Sequence, residues 1–494
     1  MTTHLTIATD EPARLQSLID AQFRLNEVVQ VVALSGAAPG SLLVQNGFIE
    51  CPLDWAQAGP PVLLPNPLAF TPDALLALTY RHLDNWEKVY EYARHDRPLA
   101  DALDLLNRLQ TGVSVELPPA PVNGAGLFDT YRRWHNRAIA AHYGDAPENT
   151  VTAAYEAALH HAPDAEHRAF TAKQYATLLA DAGLLAQADA LLAGFDAETL
   201  SANARMELLA VQSGIWLQQL TVPYDAGLLA RTKDALWQVL QHYEGQNRPA
   251  QVGLLLLDAA QVANFQNSFA EALGYVTRAI ALFRQEELPE LLANAQCRKC
   301  VLLYTWAQNG NPQFYRPAME AYQEALKLFT QQNAPAVFAD IQHHLGVIYA
   351  EIPDEAKKKG IWAAVSSSSF KHALDYYTKA DFPYEYATIC NHFANALTKY
   401  PQAAKSDNYG KAINLYREAL AIRTAETYPY ERALTILNYL EAGWYVGEDD
   451  PQQQRALHAD MVRKADEVKQ LVADEALWRE AEGHLERLQQ VELT

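Results

Sequence analysis

One helical pattern recurs along most of this chain and constrains the fold more than any other feature. It consists of an alanine, a large residue four positions later and a second alanine three positions after that. Steps of four and three residues place all three side chains on one face of a helix. The alanines allow a neighbouring helix to approach closely, and the large residue fills the space between them. The copies are Ala318/Tyr322/Ala325, Ala412/Tyr416/Ala419, Ala272/Val276/Ala279, Ala373/Tyr377/Ala380 and Val151/Tyr155/Ala158, with incomplete copies at Ala188/Leu192 and Ala235/Val239.

A second helical segment precedes each copy, and a small residue marks its middle. Leu345-Gly346 with Tyr349 precedes Ala373, and Tyr175-Ala176 precedes Ala188. The interval between successive copies is uneven, so the number of repeats is uncertain by one or two. One pair of such helices cannot bury its own apolar face, and neighbouring pairs must therefore stack.

These segments resemble the tetratricopeptide repeat (TPR) family. Leu345, Gly346 and Tyr349 match part of the family's first-helix pattern, although Gln342 stands where the family prefers tryptophan. The alanine pattern above matches its second helix, and the C-terminal units resemble the longer repeats of kinesin light chains. The resemblance covers residues 127–450. It implies an all-α, right-handed superhelical solenoid of helix-turn-helix repeats with a concave inner wall.

The rest of the chain divides by composition. Short alternating or β-branched runs, such as His4–Ala8 and Val28–Leu34, predict a small mixed α/β or irregular cap. Arg455 to Gln490 has the amphipathic spacing of a closing helical cap. The predicted divisions are 1–70 for the N-terminal cap, 72–110 for a helical pair with a connecting helix, 111–126 for a Pro- and Gly-containing linker, 127–450 for the repeats and 451–494 for the C-terminal capping helices.

Charge and hydropathy exclude several classes of partner. The formal net charge is -20, and the only tight basic run is Lys357-Lys358-Lys359, which argues against nucleic acid. No apolar stretch is long enough to span a bilayer, and the N-terminus lacks the features of a signal peptide. Four cysteines are too few to staple a secreted fold of this length. We expect a cytoplasmic protein, of bacterial origin, that contacts neither nucleic acid nor membrane; its oligomeric state is not predicted.

Residues that could carry chemistry are few. Cys297-Arg-Lys-Cys300 lacks the second ligand pair of a zinc site, and the repeat places both cysteines on the core face. The histidines and carboxylates of segment 160–167 are explained as polar residues between two helices. Cys51 could form a nucleophile pair with a distant histidine, but any chain with 15 histidines permits such a pair, so the pattern does not indicate catalysis. We therefore expect no catalysis, no metal and no cofactor.

The segment 351–369 interrupts the repeats and allows two interpretations. It contains the basic run 357–359, then Ile361-Trp362, then Ser366 to Ser369. It is either a flexible solvated turn or a partner contact in which Trp362 takes part, because an exposed tryptophan beside basic residues often marks an interaction site.

The leading functional prediction is a non-catalytic scaffold that binds a protein or peptide on the concave surface of the repeats. The alternative is a regulatory or sensor subunit that controls a separate protease or nuclease through the N-terminal region. The family resemblance places inward-facing side chains three positions before and one after the small residue of each first helix. The candidate groove residues are Lys173, Thr177, Gln261, Arg298, His343, Asn391 and Asn395, accompanied by Leu257, Leu302 and Val347.

Overall fold

The structure is a computed structural model that describes residues 5–38, 40–57, 59–121, 126–144, 146–221, 224–402, 407–447 and 450–490. Several parts of the sequence predictions therefore lie outside the described residues, among them His4 of the first strand, residues 122–125 of the linker, residues 403–406 of the repeats and residues 491–494 of the C-terminal cap. The chain forms two compact units, Met1–His242 and Tyr243–Thr494.

The first unit begins with a small five-stranded sheet in the order β2-β1-β3-β4-β5. β1 pairs in parallel with β2 and β3, whereas β4 is antiparallel to both β3 and β5. The turn between β3 and β4 uses Asn46-Gly47, and both residues have positive φ, as the sequence chemistry favours. The strands are β1 (Leu5–Thr9), β2 (Val29–Ala33), β3 (Leu42–Gln45), β4 (Phe48–Ile49) and β5 (Leu68–Ala69).

Four helices accompany this sheet. Ile7 and Ile49 of the sheet and Leu75 of the second helix are fully buried, so sheet and helices share one apolar core. Side-chain caps on Thr71, Asn85 and Asp96 fix where three of the helices begin. The helices are α1 (Pro12–Asp20), α2 (Pro72–His82), α3 (Trp86–Ala93) and α4 (Arg97–Gln110).

Helix pairs follow to the end of the chain. Consecutive helices joined by short turns pack against each other, as α5 does on α6, α11 on α12 and α17 on α18. The helices that follow in chain order are α5 (Leu127–His142), α6 (Glu148–His161), α7 (Ala165–Asp181), α8 (Leu185–Ala193), α9 (Ala202–Gln219), α10 (Ala226–Gly245), α11 (Pro249–Phe265), α12 (Phe269–Gln285), α13 (Pro289–Gln308), α14 (Tyr315–Ala325), α15 (Pro335–Glu351), α16 (Ala356–Tyr376), α17 (Pro383–Lys399), α18 (Asn408–Ile422), α19 (Pro429–Gly443), α20 (Pro451–Leu471) and α21 (Glu475–Gln489).

Proline sets the start of the first helix in five pairs of the second unit. α11, α13, α15, α17 and α19 each begin at a proline. Proline suits this position because its ring fixes a helical φ and its missing N–H would have no partner in the first turn. The turns before α11 and α13 also use a residue at positive φ, Asn247 and Glu287. Proline thus begins these repeats rather than ending them.

The alanine pattern forms the contacts within and between pairs. Ala318 and Ala325 are fully buried and Tyr322 is 2% exposed. Gly346 lies against the ring of Phe370, and a Cβ at this glycine would come within 2.9 Å of the ring's Cδ2 atom. The predicted fold class is confirmed: within each unit, helix-turn-helix repeats of the solenoid type pack in sequence order, and the strands of the described chain lie in its N-terminal part. Across the described residues, none of the helices has the length and apolar composition needed to cross a membrane.

The interpretation of segment 351–369 as a flexible turn is wrong, because α16 begins at Ala356 and runs through the serine run. Ser366 is fully buried, and its hydroxyl donates a hydrogen bond to the carbonyl oxygen of Gly346. Tyr400 in turn donates to Ser366 at 2.7 Å. The serines are compatible with a buried helix because neighbouring helices satisfy their hydroxyls.

A polar clamp, formed by His135 and Asn136 of α5, fastens the extended segment before β5 (residues 60–64) to this first repeat helix. Asn136 of α5 donates to the carbonyl oxygen of Leu63 and accepts from its N–H, both at 2.8 Å. The neighbouring His135 lies 2.8 Å from the carbonyl oxygen of Pro61 through Nε2 and 2.8 Å from the Thr171 hydroxyl through Nδ1. Both side chains are buried. The clamp therefore holds Pro61 and Leu63, which the structure does not place in a strand.

Candidate functional site

A groove between α11 and α13 in the second unit brings predicted residues from two repeats together. It has a volume of about 390 Å³. Gln261 of α11 and Arg298 of α13, both predicted groove residues, lie on its wall. Buried side chains, among them Leu257 and Leu302, form its apolar floor, whereas Val301 is 44% exposed at its edge. The contact between the two first helices, which the stacked repeats require, therefore creates the groove.

Polar groups converge on this apolar floor. The Nε atom of Arg298 donates to the side-chain oxygen of Asn294 at 3.1 Å, which holds the guanidinium along its own helix. Asn264, one turn after Gln261, also lines the groove. Its side-chain oxygen is buried and has no hydrogen-bond partner within the described part of the chain. Because most buried polar atoms are hydrogen-bonded, this acceptor is suited to an external donor.

The carboxyl group of Asp258 adds a pH-dependent charge beside the groove. Burial raises the pKa of Asp258 on α11 to about 6, and the positive charge of Arg298 acts in the opposite direction. The negative charge beside the groove therefore depends on pH in the range where most carboxylates are already ionised.

The two cysteines of α13 differ in environment. Cys300 is fully buried, as predicted for a core residue. Cys297 is half-buried and contributes to the wall of the groove, so its placement on the core face is only partly correct. Burial raises the pKa of the Cys297 thiol to about 11 and that of Cys300 further still. Both thiols are therefore neutral at physiological pH, and Cys297 is an uncharged part of the wall of the groove.

Comparisons with known proteins rest on structure. No family model matches the chain, and no curated protein matches it. Solved structures that are similar include the apo form of the quorum sensor NprR from B. thuringiensis, with 14% identity, 73% of this chain and 98% of that chain covered, and a TM-score of 0.45. The APC/C hetero-tetramer Cut9-Hcn1 is 13% identical, with 85% of this chain and 84% of that chain covered and a TM-score of 0.35. A crystallised TPR domain is 13% identical, with 83% and 97% covered and a TM-score of 0.23.

The packing of the helix pairs decides the repeat type. First helices carry a small residue, such as Ala260 of α11 and Gly346 of α15, and successive first helices contact each other, as α11 does α13 and α15 does α17. The second helices α12, α14 and α18 carry the complete buried small-large-small face, whereas Ala380 of the predicted copy at Ala373 is exposed beyond the end of α16. The repeats are tetratricopeptide-like. In these tetratricopeptide-like pairs, the groove lies on the side formed by first helices, where the resemblance placed the candidate residues.

Two predicted groove residues lie in the first unit and are engaged within it. Lys173 of α7 forms an ion pair with Glu207 at 2.5 Å, and its amine also lies 3.4 Å from the carbonyl oxygen of Trp55. Thr177 donates to the carbonyl oxygen of Lys173 within the same helix at 3.0 Å. Their placement on first helices follows the tetratricopeptide-like spacing, but their polar groups already serve internal contacts.

The remaining groove candidates lie on α15 and α17. His343 lies 2.8 Å from His392 through their ring nitrogens. Burial lowers the pKa of both rings, that of His392 to about 4, so the pair is neutral and one ring donates to the other. Asn395 accepts from the Tyr416 hydroxyl at 2.6 Å. Asn391 is 8% exposed, and its side-chain oxygen has no hydrogen-bond partner in the described chain.

Trp362 belongs to a separate cavity of about 360 Å³ near the end of α15. Its ring stacks on Tyr349 with centroids 5.5 Å apart, and its indole N–H donates to Asp354 at 3.0 Å. The tryptophan is therefore half-buried and not fully exposed to solvent, whereas its neighbour Ile361 is 61% exposed. A partner contact at this place stays a prediction.

Sequence reasoning missed Asn264, Asn294 and Asp258. Asn264 follows Gln261 by three positions and Asn294 precedes Arg298 by four, which are spacings that place side chains on the same helical face. That periodicity was the available signal. The contact between α11 and α13 was the missing information, because it selects which face becomes the wall of the groove.

Proposed function

We propose that this protein is a non-catalytic scaffold that binds a peptide, or an extended segment of a protein, in the groove between α11 and α13. The observation that carries the proposal is the buried, unpartnered side-chain oxygen of Asn264 beside Gln261 and Arg298. An extended peptide presents backbone N–H groups that this oxygen can accept, while its carbonyl oxygens suit the amide of Gln261.

The shape of the groove supports a peptide segment. Its volume of about 390 Å³ lies at the lower end of small binding sites, and it opens to solvent along one side. The exposed Val301 and the buried Leu257 and Leu302 offer contact to an apolar side chain of the peptide. Arg298 adds a cation that can pair with an acidic residue. An apolar anchor with a neighbouring carboxylate is therefore the expected motif.

Selection from a random peptide library displayed on phage tests the proposal with a defined probe. The wild-type protein should enrich peptides that combine an apolar residue with an acidic one. Arg298→Glu should weaken binding of a selected peptide by about tenfold or more, because it replaces attraction by repulsion. Asn264→Ala should also weaken it, by several-fold, since one hydrogen bond of the peptide backbone is lost.

A matched control is Arg284→Glu, which makes the same charge change at an exposed position of the adjacent α12, outside the groove. It should bind the selected peptide like wild type. Equal affinities for wild type, Arg298→Glu and Asn264→Ala would refute the groove as the binding site. Circular dichroism spectra of all variants should coincide, since none of the three residues packs in the core.

Two finer statements stay predictions. Control of a separate enzyme through residues 1–70 goes beyond peptide binding, and it needs a partner enzyme to be tested. A cytoplasmic location is likewise an expectation from the sequence.

A further inference from the structure

A second cavity lies in the first unit, at one edge of the N-terminal sheet. It has a volume of about 580 Å³. Leu5 begins β1, Leu42 begins β3 and Glu50 follows β4, and the pairing of these strands brings all three to the same edge. The last turn of α2 and Phe170 of α7 complete the wall. A cavity of this size falls within the range of small-molecule sites.

Apolar residues form about half of the wall, and polar or charged residues form the rest. The apolar side chains come from the sheet, from α2, α3 and α7 and from the segments before β5, and five of the nine are buried. Such a surface would bury the apolar body of a small molecule. The apolar residues are Leu5, Leu42, Leu53, Val62, Leu63, Leu64, Leu78, Trp86 and Phe170.

One cation on this wall stands out because of its burial and its hydrogen bonding. Arg81 of α2 is half-buried, and its guanidinium makes no hydrogen bond or ion pair within the residues that the structure describes. Burial lowers its pKa, and Cys51 and Asp54 only partly oppose this. The helix dipole favours a basic residue in the last turn of α2, but it does not explain a partly desolvated guanidinium without an acceptor.

The carboxylates of the same wall are already engaged. Glu50 accepts from the amide of Gln45, and Asp84 accepts from the indole N–H of Trp86 at 2.9 Å. Asp54 accepts the backbone N–H of Ala56 at 3.0 Å. These acids repel a doubly charged phosphate more strongly than a single carboxylate, and a single carboxylate can pair with the two-pronged guanidinium of Arg81.

We propose that this cavity binds a small monocarboxylate. The carboxylate pairs with Arg81, and the apolar body of the ligand lies against Leu63, Leu78 and Phe170. This site is independent of the peptide groove, because it lies in the other compact unit.

Isothermal titration calorimetry on the full chain tests the proposal with butyrate, hexanoate, octanoate and benzoate as probes. At least one of them should bind saturably, and the alcohol and amine of the same chain length should bind about tenfold more weakly or not at all. Arg81→Gln should weaken the best carboxylate by about tenfold or more. Arg97→Gln is the matched control and should leave binding unchanged. Arg97 is exposed, and within the described residues its ion pair is with Asp101 on the same helix.

A second measurement uses the wild-type protein and does not depend on the folding of Arg81→Gln. Cys51 lines the cavity, so a bound carboxylate should slow its alkylation by a maleimide several-fold, as mapped by mass spectrometry. The alcohol of the same chain length should not slow the alkylation of Cys51 and serves as the reference. The proposal is overturned if no carboxylate binds, if the amine binds as tightly, if Arg81→Gln binds normally or if Cys51 gains no protection.

Discussion

Replacing Asn136 by alanine should release the extended segment that the clamp holds. The change removes both hydrogen bonds between the Asn136 amide and the backbone of Leu63, each 2.8 Å long. Leu63 is 8% exposed, so its N–H and carbonyl would be left in a largely dry environment. A buried polar group that loses its partner costs about 1–3 kcal/mol, and two such groups cost about 2–6 kcal/mol.

Hydrogen exchange measured by mass spectrometry is the suitable assay, because a chain with two compact units need not unfold in a single step. The Leu63 amide should exchange faster in Asn136→Ala. At about 1.4 kcal/mol per factor of ten, the expected acceleration lies between roughly thirtyfold and roughly twenty-thousandfold, up to the limit set by unfolding of the unit.

The matched control is Asn149→Ala, which removes an exposed asparagine near the start of α6. It should leave exchange in the 60–64 segment unchanged. Unaltered protection of Leu63 in Asn136→Ala would refute the reasoning, because the segment would then owe its position to apolar packing alone.

Two further predictions concern stability. Burial lowers the pKa of His135 to about 4, below the value of about 6.5 expected in the unfolded chain. The unfolded state therefore binds the proton more readily than the folded state. The free energy of unfolding should fall by about 3 kcal/mol for this one residue as the pH drops from about 6.5 to about 4. His135→Gln should flatten that part of a denaturant-derived stability profile, and a profile as steep as that of wild type would contradict the assignment. Gly346→Ala should destabilise the second unit by about 1–3 kcal/mol, because its Cβ would meet the Phe370 ring. The control Gly274→Ala, with nothing within 4 Å of the new Cβ, should stabilise the unit by about 0.5–1 kcal/mol. Equal shifts in melting temperature for the two variants would show that the Phe370 ring moves aside without loss of stability.

The repeats could be predicted from the sequence because their determinants are local. Ala318, Tyr322 and Ala325 lie within two turns of one helix, and their spacing alone places them on a buried face. The same reasoning placed Gln261 and Arg298 on first helices. It could not show that they border one groove, because that depends on how α11 and α13 pack across the intervening helix.

Long-range polar contacts were beyond the reach of the sequence. His135 and Pro61 are 74 positions apart, and nothing near either residue indicates the other. The position of Arg81 on the wall of a cavity depends on the order of the strands in the sheet, and short β-branched runs do not specify that order. The helix across the serine run was also missed, because serine favours turns unless a neighbouring helix satisfies its hydroxyl, as Gly346 does for Ser366.

The clamp also determines how this chain can be divided experimentally. A fragment that begins at residue 127 would keep α5 and α7 but lose Pro61, Leu63 and Trp55, whose ring packs edge-on against Phe170 at 5.1 Å. The polar edges of His135 and Asn136 would then face solvent beside an uncovered aromatic ring. Such a fragment would tend to aggregate or rearrange. Lost binding after an N-terminal deletion would therefore report damage to the first repeat, and point substitutions are the better means of locating a site.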